Sequence, residues 1–265
     1  MQIIKEYVEE KKEKLKHTIS EADNIKMVII QVGHVPASDR YVRNKIKDAE
    51  SVGILCELNN LPEDITEEAL LKLMEGLNHD DAVTGYLVQL PLPKHISEEK
   101  VKLAIAPEKD IDGFHPLSKT VPATPLGIYN YLKDMNYEFL GKNAVVIGRS
   151  NIVGKPMAQL LLKESMNVTV LHSKTKYEDK LYYLRNADLI VVATGHMKTL
   201  TVEEVSLNVK PDAIVFDVGI NVKEDGKLAG DCEKDLPVAF QSPVPGGVGL
   251  LTRIAVIDNL LELRK

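Results

Sequence analysis

Tyr41 and Lys45 stand four residues apart in the stretch SDRYVRNKIK, so on a helix both project from one face. An amine that is desolvated, or set beside another cation, holds its proton less tightly and can act as a general base near neutral pH. The competing reading is a solvated face, because Lys45 lies inside the basic run 40–47, with Lys47 pointing roughly the opposite way. Gln89 ends an apolar run in VQLPLP, where prolines pin the exit and Leu90-Pro91 is a candidate cis bond; it is either an edge residue or an amide that orients a ligand. Asp110 and Asp112 share the loop KDIDGFH with Gly113. One carboxylate there could pair with a cationic or amino-bearing ligand, or both could close capping turns.

A second group of residues surrounds a glycine turn, NAVVIGRSNIVGKP. A β-branched run leads to Gly148, and a helix follows the turn at Ser150-Asn151. That order makes an anion site if free N–H groups at the helix start face the turn. The spacing only approximates G-x-G-x-x-G, with Ser150 for the second glycine and one extra residue before Gly154. About 20 residues on, the NAD pattern places an acid for the ribose 2′-hydroxyl. Here the chain reads His172-Ser173-Lys174-Thr175, with no acid. Hydroxyls and bases suit a 2′-phosphate, with Arg149 as its charge-assisted partner, so the residues predict NADP rather than NAD. The alternative is a strand, turn and helix packed for their own sake. Near the other end, PVPGGVG combines rigid prolines with three glycines, which lets backbone approach a ligand closely.

The elements that would position these residues follow from periodicity. Ile3, Ile4, Tyr7, Val8, Leu15 and Ile19 predict an amphipathic helix over the first twenty residues. A strand over 27–32 feeds a turn over 33–39, which opens a second helix with Ser38 as N-cap, Asp39 in the first turn, and Val42, Ile46 and Ala49 inward. Strands are expected at 54–58 and 85–90, a helix opening at 64–68 between them, and a short helix from Ser97 that Pro107 ends. The aperiodic stretch 109–125 is read as a domain junction. Beyond it come helices at 127–134, 157–162 and 181–186 and strands at 144–147, 168–171, 188–194 and 213–218, the last two ending in Thr194-Gly195 and Gly219-Ile220-Asn221. Such strand ends are where a doubly wound sheet holds its ligand. The final helix, 250–263, is expected to pack back on the first domain.

The fold class is therefore α/β in two domains: an N-terminal α/β sheet domain over 1–120 with about 248–265, and a Rossmann-like domain over 121–247. A chain of 265 residues is long enough for two cores. A net charge of -6 argues against a nucleic-acid partner. Two unpaired cysteines, Cys56 and Cys232, suit a reducing compartment, and seven scattered histidines lack metal-ligand spacing, so no metal is expected. No signal-peptide core or bilayer-length apolar run is visible, which predicts a cytoplasmic protein without a membrane partner.

Taken in order, SDRYVRNKIK with Gly53, VQLPLP, PEKDIDGFH, TPLG, GRSNIVGKP, DVGIN, Gly230-Asp231 and PVPGGVG resemble the bifunctional methylenetetrahydrofolate dehydrogenase/methenyltetrahydrofolate cyclohydrolase family along most of the chain. The resemblance implies NADP-dependent oxidation of 5,10-methylenetetrahydrofolate and hydrolysis of the methenyl product to 10-formyltetrahydrofolate. It makes Lys45 the catalytic lysine, Gln89 its adjusting partner, Tyr41 a stacking surface for the folate ring, and Asp112 the partner of the pterin amino group. Leu90, Pro245, Gly246 and Gly247 would line the folate. Gly148, Arg149, Ser150, Ser173 and Ile220, with Thr194 and Gly195 at the neighbouring strand end, would contact NADP. The resemblance also implies a cleft between two domains and a homodimer. Two features depart from the family pattern: the loop 116–123 is shorter than usual, and Ala123 and Leu250 replace a common cysteine and proline. The loop leaves open a dehydrogenase without hydrolase activity, and a non-catalytic NADP- or folate-binding regulator is the other alternative. A short-chain dehydrogenase would also contain Y-x-x-x-K, but with its glycine turn near the N-terminus; here the order is reversed.

Overall fold

A computed structural model describes residues 1–19, 23–34 and 36–264. They form two compact units. One joins residues 9–123 to 253–265 and is called here the Lys45 unit; the other joins 1–8 to 124–252 and is called the Gly148 unit.

In the Lys45 unit, β1 (Lys26–Val32) lies between β2 (Leu55–Leu61) and β3 (Gly85–Val88), all parallel. The central strand KMVIIQV is buried on both faces, which is why Met27–Ile30 reads as a continuous apolar run rather than an alternating one. Val28, Ile30 and Val32 pack with Leu70, Met74 and Leu77 of α3 (Glu67–Asn78) and Val101 of α4 (Glu98–Ala104). The helix expected from Asp64 begins at Glu67, because Thr66 caps it by accepting from Ala69 N at 3.2 Å. α1 (Ile4–Thr18) stops short of the twentieth residue, and position 20 lies outside the described residues.

α2 (Pro36–Ser51) corrects one expectation. Ser38 is inside the helix and is not its cap, because Pro36 already has the φ of a first helical turn and needs no N–H there. Val35 lies outside the described residues. Asp39 does fall in the first turn, where it accepts a short hydrogen bond from the amide of Gln31 at the end of β1.

Residues 110–121 form a tied loop within this unit. Asp110 is fully buried and accepts from Gly113 N at 2.9 Å and His115 N at 2.7 Å, while Thr120 Oγ1 donates to Asp110 O at 2.6 Å. Asn259 of α9 (Val248–Leu263) donates to the carbonyls of Ile111 and Val121 at 2.9 and 2.8 Å. Gly113 sits at φ 70° with room for no side chain: a Cβ would lie 2.5 Å from the carbonyl carbon of Val121. The C-terminal helix thus packs back on this unit from Arg253 onward, as expected.

The Gly148 unit is built on five parallel strands in the order β10 (Phe240–Gln241), β7 (Ile214–Asp217), β6 (Leu189–Val192), β4 (Asn143–Ile147), β5 (Asn167–Leu171). Helices α5 (Ala123–Asp134), α6 (Gly154–Lys163), α7 (Tyr177–Leu184) and α8 (Val202–Asn208) complete it, with an antiparallel pair β8 (Asn221–Val222) and β9 (Leu228–Ala229). The first eight residues group here rather than with the residues that follow them. The Tyr7 hydroxyl donates to Asp134 at 2.7 Å and its ring meets Tyr131 edge-on at 4.9 Å. α8 was not expected from periodicity: it is held by a capping box, Thr201 with Glu204, and by a buried Lys180–Glu204 pair at 2.7 Å, instead of an apolar stripe. α5 begins at Ala123, ahead of the expected Gly127, with Pro125 tolerated in the first turn.

Candidate active site

In the Lys45 unit, Lys45 is not on a solvated face. It is 5% exposed, and its ammonium lies 5.2 Å from the centre of the Tyr41 ring and 3.7 Å from Asp112 Oδ1. At that distance Asp112 supplies charge but no good hydrogen bond. Burial lowers the pKa of Lys45 and the Asp112 carboxylate partly restores it. α2 therefore presents an amine with two neighbours and little water, the condition under which lysine becomes a base.

The two loop carboxylates divide their tasks. Asp110 closes the capping turn described above, and its pKa is raised chiefly by burial. Asp112, one turn on, leaves its carboxylate to face Lys45. Gln89 does not hydrogen-bond to Lys45. Its amide donates to Leu90 O at 2.9 Å, and its Oε1 is buried without a partner among the described residues. An orphaned buried acceptor is costly in a folded chain, so it marks a place for a donor that arrives from outside. The Leu90-Pro91 bond is cis. Gln31, buried beside this strand end, was not singled out in the sequence; an uncharged polar residue closing a continuous apolar strand was the available signal.

In the Gly148 unit the turn lies at the strand-order reversal between β4 and β6. Gly148 has φ 129°, and a Cβ there would meet Ala193 O at 2.2 Å; one on Gly154 would meet Gly148 O at 2.2 Å. The glycines are thus required by close packing of the turn. The free N–H groups expected at the start of α6 are not free. Ser150 Oγ accepts from Val153 N at 3.1 Å and Gly154 N at 3.4 Å, Ser150 O accepts from Lys155 N at 3.0 Å, and Pro156 has no N–H. The serine that replaces the second glycine consumes the helix-start donors itself. Arg149 and Ser173 are exposed, and Arg149 forms no ion pair among the described residues.

Thr194 and Gly195 follow β6 and Ile220, 63% exposed, follows β7. Both loops are fastened from below. Asp231 accepts from Thr194 N, Thr194 Oγ1 and Gly195 N at 2.6, 3.0 and 2.9 Å. Pro245, Gly246 and Gly247 also belong to this unit. The Val244-Pro245 bond is cis, Gly246 sits exposed at φ 97°, and a Cβ on Gly247 would meet Pro243 O at 2.3 Å. A cavity of about 800 Å³ reaches Pro243, Ser242 and Gly230 but not Arg149, Ser150 or Ser173, so it does not coincide with the expected nucleotide contacts. Among the described residues there is no cluster of three or more histidines, cysteines and carboxylates fit for a metal, and no helix is long and apolar enough to cross a membrane.

Residues 1–112 match the catalytic domain of tetrahydrofolate dehydrogenase/cyclohydrolase, and residues 122–265 match its NAD(P)-binding domain. The chain belongs to the tetrahydrofolate dehydrogenase/cyclohydrolase family. It is 48% identical over 251 residues to the bifunctional protein FolD of Listeria innocua, covering 90% of this chain and 86% of that one. To FolD of Exiguobacterium sibiricum it is 45% identical over 276 residues, covering 100% and 97%. Among solved structures, FolD of Campylobacter jejuni superimposes with a TM-score of 0.86 at 42% identity, covering 98% of this chain and 94% of that one. The Trypanosoma brucei dehydrogenase-cyclohydrolase, solved with NADP and an inhibitor, superimposes with a TM-score of 0.91 at 31% identity, covering 100% and 96%.

Within this family framework, Tyr41, Lys45 and Asp112 meet in the Lys45 unit, and the glycine turn with its neighbours belongs to the Gly148 unit. Asp217 and Asp231 carried no assignment in the sequence beyond their place in DVGIN and Gly230-Asp231. Their signal was the glycine beside each, since a Cβ on Gly219 would meet Asp231 Oδ1 at 2.1 Å and one on Gly230 would meet Asp217 Oδ2 at 1.8 Å.

Proposed function

We propose that the protein oxidises 5,10-methylenetetrahydrofolate to the methenyl form with NADP and hydrolyses that product to 10-formyltetrahydrofolate, as a cytoplasmic homodimer in one-carbon metabolism. The observation that carries this reading is the buried Lys45 amine between the Tyr41 ring and Asp112, in a chain whose two parts match the family's catalytic and NAD(P)-binding domains. The residues present fit both ligands. Gln89 Oε1 is an unpaired buried acceptor, and Asp112 is a buried carboxylate suited to a pterin amino group. Arg149, exposed and without an ion pair among the described residues, and the acid-free turn at Ser173 fit a 2′-phosphate.

Bound NADP would supply the acceptor for a hydride leaving the one-carbon methylene. For that step the chain's work is orientation: the Tyr41 ring and Leu90 support the folate ring, Pro245, Gly246 and Gly247 line it, and Gly148, Ser150, Thr194, Gly195 and Ile220 seat the cofactor. In the second step water adds to the methenyl carbon, and the ring C–N bond then breaks as the formyl C=O forms, the freed nitrogen taking the remaining hydroxyl proton. Lys45, whose pKa burial lowers, takes the proton from that water in its neutral form, and Gln89 and Asp112 set the substrate against it. The methenyl cation beside the amine lowers its proton affinity further.

The test is an assay on purified protein. NADP and methylenetetrahydrofolate should give a methenyl absorbance that then decays by enzyme-dependent hydrolysis. Formation without accelerated decay would leave a dehydrogenase alone, and neither signal would reject the proposal.

A further inference from the structure

Asp217 and Asp231 have no place in the chemistry above, yet both are deeply buried, at 3% and 0% exposed. No cation pairs with either among the described residues. A buried carboxylate without a counter-charge persists only where donors surround it. Here most of the donors are main-chain N–H groups. Asp217, the last residue of β7, accepts from Gly219 N at 3.0 Å, Asp231 N at 2.8 Å and Cys232 N at 2.9 Å. Its own N–H is held by Ser242 Oγ at 2.8 Å. Asp217 thus fixes the segment after β9 and, with it, the position of Asp231.

Asp231 then spends one carboxylate on two loops. Oδ2 takes the three donors of Thr194 and Gly195, after β6. Oδ1 takes the Asn221 amide at 2.9 Å, after β7, and that amide also donates to Gly230 O at 3.1 Å. Both ends of the carboxylate are therefore engaged by loops at the carboxyl ends of adjacent parallel strands, where this kind of sheet receives its ligand. Space for the arrangement is reserved by the absent side chains of Gly219 and Gly230, in whose places the two carboxylates stand.

We propose that Asp231, seated on Asp217, is a positioning residue for the nucleotide: it holds Thr194-Gly195 and, through Asn221, Ile220 in the arrangement that receives the cofactor. The inference rests on the dehydrogenase reading above. A role confined to core stability would not require every side-chain partner of Asp231 to come from these two loops.

The experiment compares wild type with Asp231→Asn and Asn221→Ala, reading NADP Kd by titration, KM for NADP and kcat in the oxidation, and nucleotide-free hydrolysis of supplied methenyltetrahydrofolate. The asparagine keeps the shape but turns a donor toward the Asn221 amide and removes the charge. Loss of charge-assisted hydrogen bonds should raise Kd and KM for NADP by about tenfold or more, with a smaller fall in kcat. Hydrolysis should continue near the wild-type rate. Asn221→Ala should move the same constants in the same direction by less. Folded Asp231→Asn with wild-type NADP Kd, or a fall in hydrolysis equal to that in oxidation, would overturn the proposal. Should Asp231→Asn fail to fold, an unchanged NADP Kd in Asn221→Ala would overturn it instead. Failure of the dehydrogenase reading itself would show separately, as no NADP-dependent oxidation by the wild type.

Discussion

Two polar clusters, one in each unit, are built on opposite principles. In the Lys45 unit groups are left incompletely matched: an amine too far from its carboxylate for a good hydrogen bond, and a Gln89 oxygen with no partner among the described residues. Around Asp231 the acceptors are engaged by main-chain and side-chain donors of the same unit. Buried polar groups stabilise when satisfied and cost free energy when not, so the first cluster is the expensive one. Unmatched groups are poised for substrate and proton transfer, whereas matched groups hold a shape. Under the proposed function, the difference fits chemistry at the first cluster and geometry at the second.

Substitutions that affect one cluster and spare the other sharpen this contrast. Lys45→Ala should lower the rate of methenyl hydrolysis by about 10²–10⁴-fold, the usual worth of a general base, with NADP Kd unchanged by titration. An equal loss of nucleotide binding would break the separation. Arg149→Ala combined with Ser173→Ala should weaken NADP by roughly 10–100-fold and NAD far less, because charge-assisted bonds to a 2′-phosphate are lost. Equal losses for the two nucleotides would remove that assignment. Asp112→Asn should weaken folate binding and also shift the pH profile. Its carboxylate raises the Lys45 pKa, so removing it moves the rising limb of hydrolysis to lower pH; a shift to higher pH would contradict the pairing.

Most of the fold was legible because the inner parallel strands β1, β4, β6 and β7 are largely apolar and buried, and the main helices carry inward stripes, as with Val42 and Ala49 on α2. What escaped was held by other means. α8 relies on a capping box and one buried ion pair, β8, β9 and β10 are two residues long, and Met1–Val8 groups by tyrosine contacts across a long sequence separation. In the candidate site, the spacing of Tyr41 and Lys45 gave their shared face but not the burial of the amine, which depends on how the whole unit packs. The even choice between ligand carboxylate and capping turn is decided for Asp110, which closes the turn, while Asp112 faces Lys45. The glycine turn misled in one respect: its spacing implied free helix-start donors, but which atoms Ser150 would satisfy is decided by local geometry.

Titration of Lys45 itself tests the central claim most directly. With lysines labelled at the carbon beside the amine and the Lys45 signal assigned by its loss in Lys45→Arg, its NMR shift can be followed against pH. The account predicts a midpoint below the 10.5 usual for lysine, because burial outweighs the attraction of Asp112. A midpoint at or above that value would mean that the amine is held as a cation, and Lys45 could not be the base.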